Sequence, residues 1–433
     1  MTQQVSSPDA ASSTASPAAT TSAKPAATAA PYLARGTPDY WRASGALIAA
    51  GFATFSLLYC VQPLLPLFSR DFNVSPVAAS LSVSIATGLL ALAIFVGGLF
   101  SESLNRRQIM VWGMGGASVL TLLSAWMPTW GAFLTVRGLE GIMLGGVPAV
   151  AMAYISEEVD PAGLGLSMGL YVGGTAIGGM LGRVVTGVLT DLFSWRVAIA
   201  GIGLFGIVAT LIFYLLLPPS RRFVPRRGLG FARHRDALAG HLRQPRMLAL
   251  FLTGMLLMGA FVTIYNYVGY RLLAPPYALR QSQIALIFLT YLIGSVASPA
   301  SGKLADQLGR GWVLGGSVGL MGVGLALTLM TPLVGVIAGI VVFTIGFFGG
   351  HSVASGWVGF LSTHAKGQAA ALYLLAYYVG SSILGSLGGH FWVLDAWRGV
   401  CGMVGVLLAL ALGLAIWLTR ATIAAHAAAA SNN

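Results

Sequence analysis

The amino-acid sequence predicts an all-α integral membrane protein, with twelve transmembrane helices arranged as two six-helix pseudo-repeats. Composition is the first ground. Of 433 residues, 56% are hydrophobic and 8% charged, with 24 basic and 12 acidic side chains. A water-soluble chain of this length would carry about 108 charged residues. The second ground is the spacing of those charges, which leaves uncharged stretches long enough to cross a bilayer. The third is a polar segment near residue 100 that recurs near residue 305. Together they exclude a water-soluble enzyme, a disordered chain and a disulfide-stapled one. Cys60 and Cys401 fall inside apolar runs near opposite ends, so no disulfide framework or metal-ligand spacing can be built from them.

Residues 1–40 are a low-complexity tract of Ala, Ser, Thr and Pro with almost no large apolar side chains. Such a segment cannot bury enough surface to fold and reads as a disordered cytoplasmic tail. It has no basic start followed by an apolar run, so it is not expected to be a signal peptide. Beyond it, Arg42 to Arg70, Asp71 to Glu102 and Arg107 to Arg137 each enclose more than 25 uncharged residues, against roughly 20 needed for one span. Arg196 to Arg221, Arg246 to Arg271, Arg280 to Lys303, Lys366 to Asp395 and Arg398 to Arg420 each fit one more. Arg310 to Lys366 encloses 55 uncharged residues, enough for two spans with a turn at Thr331-Pro332. Two further spans, about 131–156 and 163–190, carry the internal charges Arg137, Glu140 and Arg183. The helices are expected to start near residues 43, 76, 108, 131, 163, 196, 247, 281, 312, 334, 367 and 397. Six fall in a bundle over 41–217 and six in a bundle over 247–420. A basic linker, 218–246, joins them, and 421–433 form a cytoplasmic tail.

An even number of spans puts both termini on one side. With the termini in the cytoplasm, 17 Lys and Arg lie inside and five outside, the bias that retention of positive charge produces. Eight of the inside arginines lie between Arg221 and Arg246. The formal charge of +12 therefore reads as a topology signal and not as a nucleic-acid interface. The linker is expected to lie on anionic lipid headgroups.

The recurring segment runs from Gly98 through Glu102 and Asn105 to Arg106-Arg107, and again from Gly302 through Asp306 and Gly309 to Arg310. The offset is 204 residues. Both copies follow the second span of a six-helix set, the parallel-repeat arrangement of a secondary transporter. These residues resemble the signature loop of the major facilitator superfamily: a Gly, four residues on an Asp, then Gly-Arg-Arg/Lys. The first copy carries Glu102 for Asp and Asn105 for Gly. Asn tolerates a left-handed backbone better than most residues, so the turn is expected to survive there. Arg137-Gly-Leu-Glu140-Gly141 in the fourth span looks like the family's Arg-x-x-polar-Gly motif. The run from Gly173-Gly174 through Gly178-Gly179 to Gly182-Arg183 is similar to the antiporter motif of drug/proton exporters, with Arg183 in place of that motif's Pro-containing stretch. Tyr59-Cys-Val-Gln62-Pro63, Tyr265-Asn266-Tyr267 and Gly349-Gly350-His351-Ser352 look most like bacterial inner-membrane exporters of the arabinose-efflux and drug-resistance type. The resemblance covers about residues 40–420. It implies a multi-pass protein of the bacterial inner membrane that moves a small molecule, with no cofactor and a proton gradient as driving force.

A proton-coupled exporter needs a titratable group in the membrane, where low dielectric raises a carboxylate's pKa. Glu140 is the carboxylate deepest within a predicted span, and Arg137 three residues before it shares its helix face. Two readings stand: a pair whose contact changes with protonation or substrate, or a static ion pair packing the fourth helix. His351, near mid-span in the tenth helix, is a further coupling candidate or a hydrogen-bonded packing residue. Arg183 either attracts an anionic substrate or responds to Glu140, or it snorkels to the outer headgroups beside Asp191. Two arginines and one carboxylate in the first half favour an anionic or zwitterionic ligand.

Tyr59, Gln62, Asn266, Tyr373 and Tyr377 are candidates for the cavity wall. Gln62 lies one turn from Tyr59 and Tyr377 one turn from Tyr373, and an intramembrane amide must face protein or water. Tyr265, Tyr267 and Tyr270 are expected in the outer aromatic belt. The glycine pairs, and the Gly178–Gly182 spacing of four, read as close-approach faces between helices.

Export is the leading expectation. A proton-coupled importer or a uniporter of the same architecture is the alternative, because fold alone does not separate them. A membrane-embedded enzyme or sensor is remote. The spans contain no His-Glu-x-x-His, Cys cluster or Asp pair, and no segment is long enough for a signalling domain. Short loops point to a functional monomer.

Overall fold

A computed structural model describes residues 32–100, 105–222 and 231–431. Those residues are helical almost throughout. In the first half the helices are α1 (Pro38–Tyr59), α2 (Leu65–Asp71), α3 (Pro76–Phe100), α4 (Arg106–Ser124), α5 (Trp130–Glu158), α6 (Pro161–Leu192) and α7 (Trp195–Leu216). A short α8 (Phe231–Leu242) precedes the second half: α9 (Pro245–Leu273), α10 (Gln281–Ala285), α11 (Thr290–Leu308), α12 (Arg310–Leu327), α13 (Leu333–Leu361) and α14 (Lys366–Ser431). Each start has a local cause. Thr37, Asn105, Thr129, Asp160 and Ser194 each turn a side-chain oxygen onto a first-turn N–H, satisfying donors that the helix itself leaves free. Proline occupies the first turn of α1, α6 and α9, where its missing N–H costs nothing.

These elements make twelve spans. Helices α1 and α2 form one broken span, as do α10 and α11. The long α14 is two spans meeting at Asp395 and Ala396, whose backbone leaves the helical region. Among the described residues, ten stretches are long and apolar enough to cross a membrane, counting α14 once. Helix α4 falls outside that set because Arg106, Arg107 and Gln108 dilute its first turn, yet it packs between α5 and α7 within the bundle. Observed starts lie within a few residues of those expected from charge spacing. The repeat is visible in the backbone too: α4 starts at Arg106 and α12 at Arg310, the same offset as the signature segments.

Three expected boundaries shift. Residues 1–31 of the tail lie outside the described residues, but Leu33 is buried and pairs with Val159 in an isolated parallel bridge, so ordered chain begins before residue 40. Helix α8 occupies part of the expected linker. Helix α14 runs past residue 420 to Ser431.

Close approach is built on glycine. Gly174, Gly178 and Gly182 of α6 face the backbone of Ile48, Phe52 and Ser56 on α1, and a Cβ at Gly178 would collide with Phe52. Helices α1 and α6 can therefore lie backbone to backbone. Between the halves, contact runs through α3 with α14, α6 with α10 and α11, and α2 with α9. Ser386 donates to Ser84 at 2.7 Å, Thr87 meets Ser382 at 2.9 Å, and Asp191 accepts from Ser282. These contacts gather toward the end of the bundle opposite the start of α1 and the end of α14, the termini of the described helices. Among the described residues, α5 and α13 pack extensively only against their own halves, so the end bearing the termini has no matching closure there.

Candidate functional site

Helix α1 ends at Tyr59, and the chain passes into a 3-10 turn at Gln62–Leu64. Pro63 has no N–H to return to the carbonyl of Tyr59, so the ladder stops and the last carbonyls of α1 need other donors. Arg137 of α5 supplies them. Its Nη1 donates to Leu57 O at 3.3 Å, its Nη2 to Leu58 O at 2.6 Å, and its Nε to Ser82 O of α3 at 3.0 Å. Nη1 also donates to Glu140 Oε2 at 2.5 Å, and both side chains are 0% exposed. A buried charge requires this density of partners, since isolation in low dielectric costs several kcal/mol. Glu140 Oε1 has no hydrogen-bond partner; Thr121 of α4 is its neighbour.

Three residues past the end of α1, at Gln62, a second buried arginine takes hold. Arg183 of α6 is 3% exposed. Its Nε donates to Gln62 Oε1 at 2.7 Å and its Nη1 to Gly179 O at 2.5 Å. Its guanidinium carbon lies 4.2 Å from the Tyr59 ring centroid, 4.9 Å from Phe288 and 5.2 Å from Tyr291. Aromatic faces stabilise a desolvated cation, and here they stand where a carboxylate would. The snorkelling alternative is thereby corrected: Arg183 points inward, while Asp191 accepts from Ser282 of the other half.

Gln62 carries the contact across the molecule. Its Nε2 donates to Asn266 Oδ1 of α9 at 2.8 Å, a bond between residues 204 apart. That separation is the repeat offset, so the two amides occupy equivalent positions in the two halves and meet each other. Asn266 is 1% exposed and its Nδ2 has no partner.

Beside this chain lies an aromatic wall. His351 Nδ1 is 3.0 Å from the Tyr373 hydroxyl, and its ring centroid is 4.7 Å from that of Tyr377. Tyr377 neighbours Tyr59 and Tyr291. Tyr373 is buried, whereas His351 and Tyr377 are half-buried. Tyr265 and Tyr267 are not belt residues as expected. Both are buried, Tyr265 hydroxyl against Thr290 and Thr344, each at 2.7 Å, and Tyr267 donating to Ser386 O at 3.2 Å. Tyr270 bonds Ser69 and the Leu65 carbonyl across the halves.

The two signature segments differ in detail. Gly98 sits in the last turn of α3, and Glu102 lies outside the described residues. Asn105 is extended (φ −63°, ψ 117°) and caps α4 by accepting from Arg107 N and Gln108 N. The expected left-handed turn is therefore absent there, and the side chain does the work. Gly309 keeps a left-handed φ of 92°. Arg106 is forked onto Glu157 at 2.7 and 3.3 Å, Arg107 donates to Tyr214 O at 2.5 Å, and Asp306 lies 3.7 Å from Arg310.

Comparison with known proteins gives the family. The sequence profile of the Major Facilitator Superfamily matches residues 47–278. The chain is 44% identical over 389 residues to the uncharacterized MFS-type transporter YybF of Bacillus subtilis, covering 90% of this chain and 96% of that one. This chain belongs to the major facilitator superfamily. It is also 44% identical over 384 residues to the inner membrane transport protein YnfM of Escherichia coli, covering 88% and 91% of the two chains. Solved superfamily structures share its fold. A bacterial homolog of the human lysosomal transporter Spinster, in an inward-facing and occupied conformation, has a TM-score of 0.72 at 15% identity, covering 89% of this chain and 97% of that one. A mutant of the nucleoside transporter NupG has a TM-score of 0.72 at 15% identity, covering 87% and 99%. The superfamily member is thus a multi-pass membrane transporter with bacterial relatives.

Sequence reasoning placed Arg137 beside Glu140 and Gln62 on one face with Tyr59, and named Arg183 and Asn266 separately. The structure joins the last four in one cluster and sets His351, Tyr373 and Tyr377 beside it. Phe288 and Tyr291 went unnamed; the uncharged gap between Arg280 and Lys303 in which they lie hid them. The equivalence of Gln62 and Asn266 was available from the repeat offset.

Proposed function

We propose that the protein is a proton-coupled exporter of a small organic molecule that works by alternating access, with both termini cytoplasmic. The observation that carries this reading is the hold of the Glu140–Arg137 pair on the broken end of α1. When Glu140 is ionised, Arg137 is drawn to it at 2.5 Å. Protonation removes that attraction and leaves the guanidinium to the carbonyls of Leu57, Leu58 and Ser82. The same helix end bears Tyr59 and Gln62, which contact Arg183. Proton and substrate therefore act on one element from its two sides, and each changes what the other meets.

The closure at the end opposite the termini, with α5 and α13 unengaged across the halves, supports a cavity reached from the cytoplasm in this state. Rocking of the halves would exchange the two arrangements. Gly178 and Gly182 let α6 carry Arg183 against α1 without intervening side chains.

The test uses everted membrane vesicles energised to acidify their interior and followed with a pH-sensitive dye. Amphiphilic cations, organic anions and sugars are added in turn to wild type and Glu140→Gln. A compound that releases the gradient only with wild type supports antiport with coupling at Glu140. Equal release in both leaves exchange standing and makes the carboxylate structural. If no compound moves protons outward, import or uniport by the same fold takes the place of export.

A further inference from the structure

We propose that the substrate is a small organic anion with a flat apolar body, its carboxylate held jointly by Arg183 of the first half and Asn266 of the second. The proposal rests on the export reading for direction only; recognition is argued from the side chains. The two buried arginines of the first half differ in a way that separates structure from binding. Arg137 spends every guanidinium nitrogen on protein oxygens, one of them a carboxylate. Arg183 has Nε on Gln62 and Nη1 on Gly179, and its Nη2 has no hydrogen bond among the described residues. No carboxylate lies within ion-pair distance of it among those residues. A cation this deep with a spare donor is suited to an anion that arrives.

The second donor is independent. Asn266 Nδ2, 1% exposed and unpartnered, sits on the amide whose oxygen Gln62 already occupies. Gln62 thus links the two residues, Oε1 to Arg183 and Nε2 to Asn266, and each of them keeps a nitrogen without a hydrogen bond, Nη2 and Nδ2. Two N–H groups flanking one amide suit the two oxygens of a carboxylate, and a neutral amide could satisfy only part of that pattern. The apolar body is read from the neighbours. Tyr59, Phe288 and Tyr291 surround the guanidinium, and the half-buried rings of Tyr377 and His351 continue the wall toward the end bearing the termini. Flat rings at these spacings accept a planar ligand by offset stacking. Because one donor comes from each half, the bound anion ties the halves together, which is what commits a carrier to the loaded state.

The experiment measures binding of radiolabelled benzoate to the purified full-length protein in detergent, without any gradient. Benzamide, benzylamine and acetate serve as competitors. The expected result is saturable benzoate binding, with each competitor at least about tenfold weaker than unlabelled benzoate, the worth of one charge-assisted contact or of the ring. Arg183→Gln should abolish binding, Arg183→Lys should weaken it, and Asn266→Ala should weaken it by about tenfold. Absence of benzoate binding to wild type overturns the proposal. So does benzamide or benzylamine competing as well as benzoate, or binding unchanged in Asn266→Ala. Should Arg183→Gln not fold, the comparison of probes on wild type still decides. Failure here with proton release by other compounds in vesicles would remove the anion and leave export. Binding without proton release would do the reverse.

Discussion

Replacing Arg137 by Met should destabilise the protein more than replacing Glu140 by Gln, although each removes one partner of the same 2.5 Å contact. Removing one member of a buried ion pair costs about 3–5 kcal/mol. In Glu140→Gln the guanidinium keeps the carbonyls of Ser82, Leu57 and Leu58, so the lower end applies, about 3 kcal/mol. In Arg137→Met the carboxylate loses its counter-charge and the Leu58 carbonyl loses its donor. The second loss adds about 1–3 kcal/mol, for a total of about 4–8 kcal/mol. The double variant removes both charges and keeps only the orphaned carbonyls, so it should be more stable than Arg137→Met alone. Apparent unfolding in detergent can be followed with a thiol-reactive fluorophore, because Cys60 and Cys401 are buried free thiols that react only on opening. Equal loss in the two single variants would refute the account, as would a double variant less stable than Arg137→Met. The first outcome would mean that the carbonyls of α1 do not depend on Arg137, and the second that the unpaired Glu140 carboxylate is not what Arg137→Met leaves at a cost.

Two further outcomes follow from the packing. Gly187 of α6 has no room for a Cβ, which would collide with Ala285 of α10, so Gly187→Leu should open the end opposite the termini. A cysteine placed at Gln281, buried in the wild-type arrangement, should then react faster with a membrane-impermeant maleimide; an unchanged rate would count against that closure. Asn105→Ala should lower stability by about 1 kcal/mol and Asn105→Gly by only a few tenths, the pattern of a helix cap. Asn105→Gly more stable than wild type by the same thiol assay would instead indicate a left-handed residue.

Charge spacing located the spans because the bilayer enforces it: an unpaired Arg or Asp inside a span is too costly to leave without purpose. The exceptions, Arg137, Glu140 and Arg183, were for that reason the readable part of the site. The breaks in α1 and between α10 and α11 were less legible. Pro63 signals the first, but Gln281–Leu289 contains no proline or glycine to mark the second. The direction of Arg183 was illegible, since snorkelling and an inward turn share one sequence pattern. Only the arrival of Gln62 and three rings from other helices decides between them. Tyr265 and Tyr267 misled because a tyrosine near a span end satisfies its hydroxyl equally well with headgroups or with buried threonines. Asn105 misled for a related reason: its side chain serves a cap as readily as its backbone serves a turn.

The contact between Gln62 and Asn266 joins a residue to its own counterpart in the other half. A position that lies on an internal two-fold axis must be chemically compatible with a copy of itself, as in an isologous dimer interface. A carboxylate there would repel its twin, and a lysine likewise. A primary amide does not, because each carries both a donor and an acceptor and can complete the other in either orientation. Gln and Asn at these two places are thus a pair that a chain with identical halves could also have carried. The present difference of one methylene sets which half reaches further across the axis, and Gln62 is the longer arm, on the side that holds Arg183.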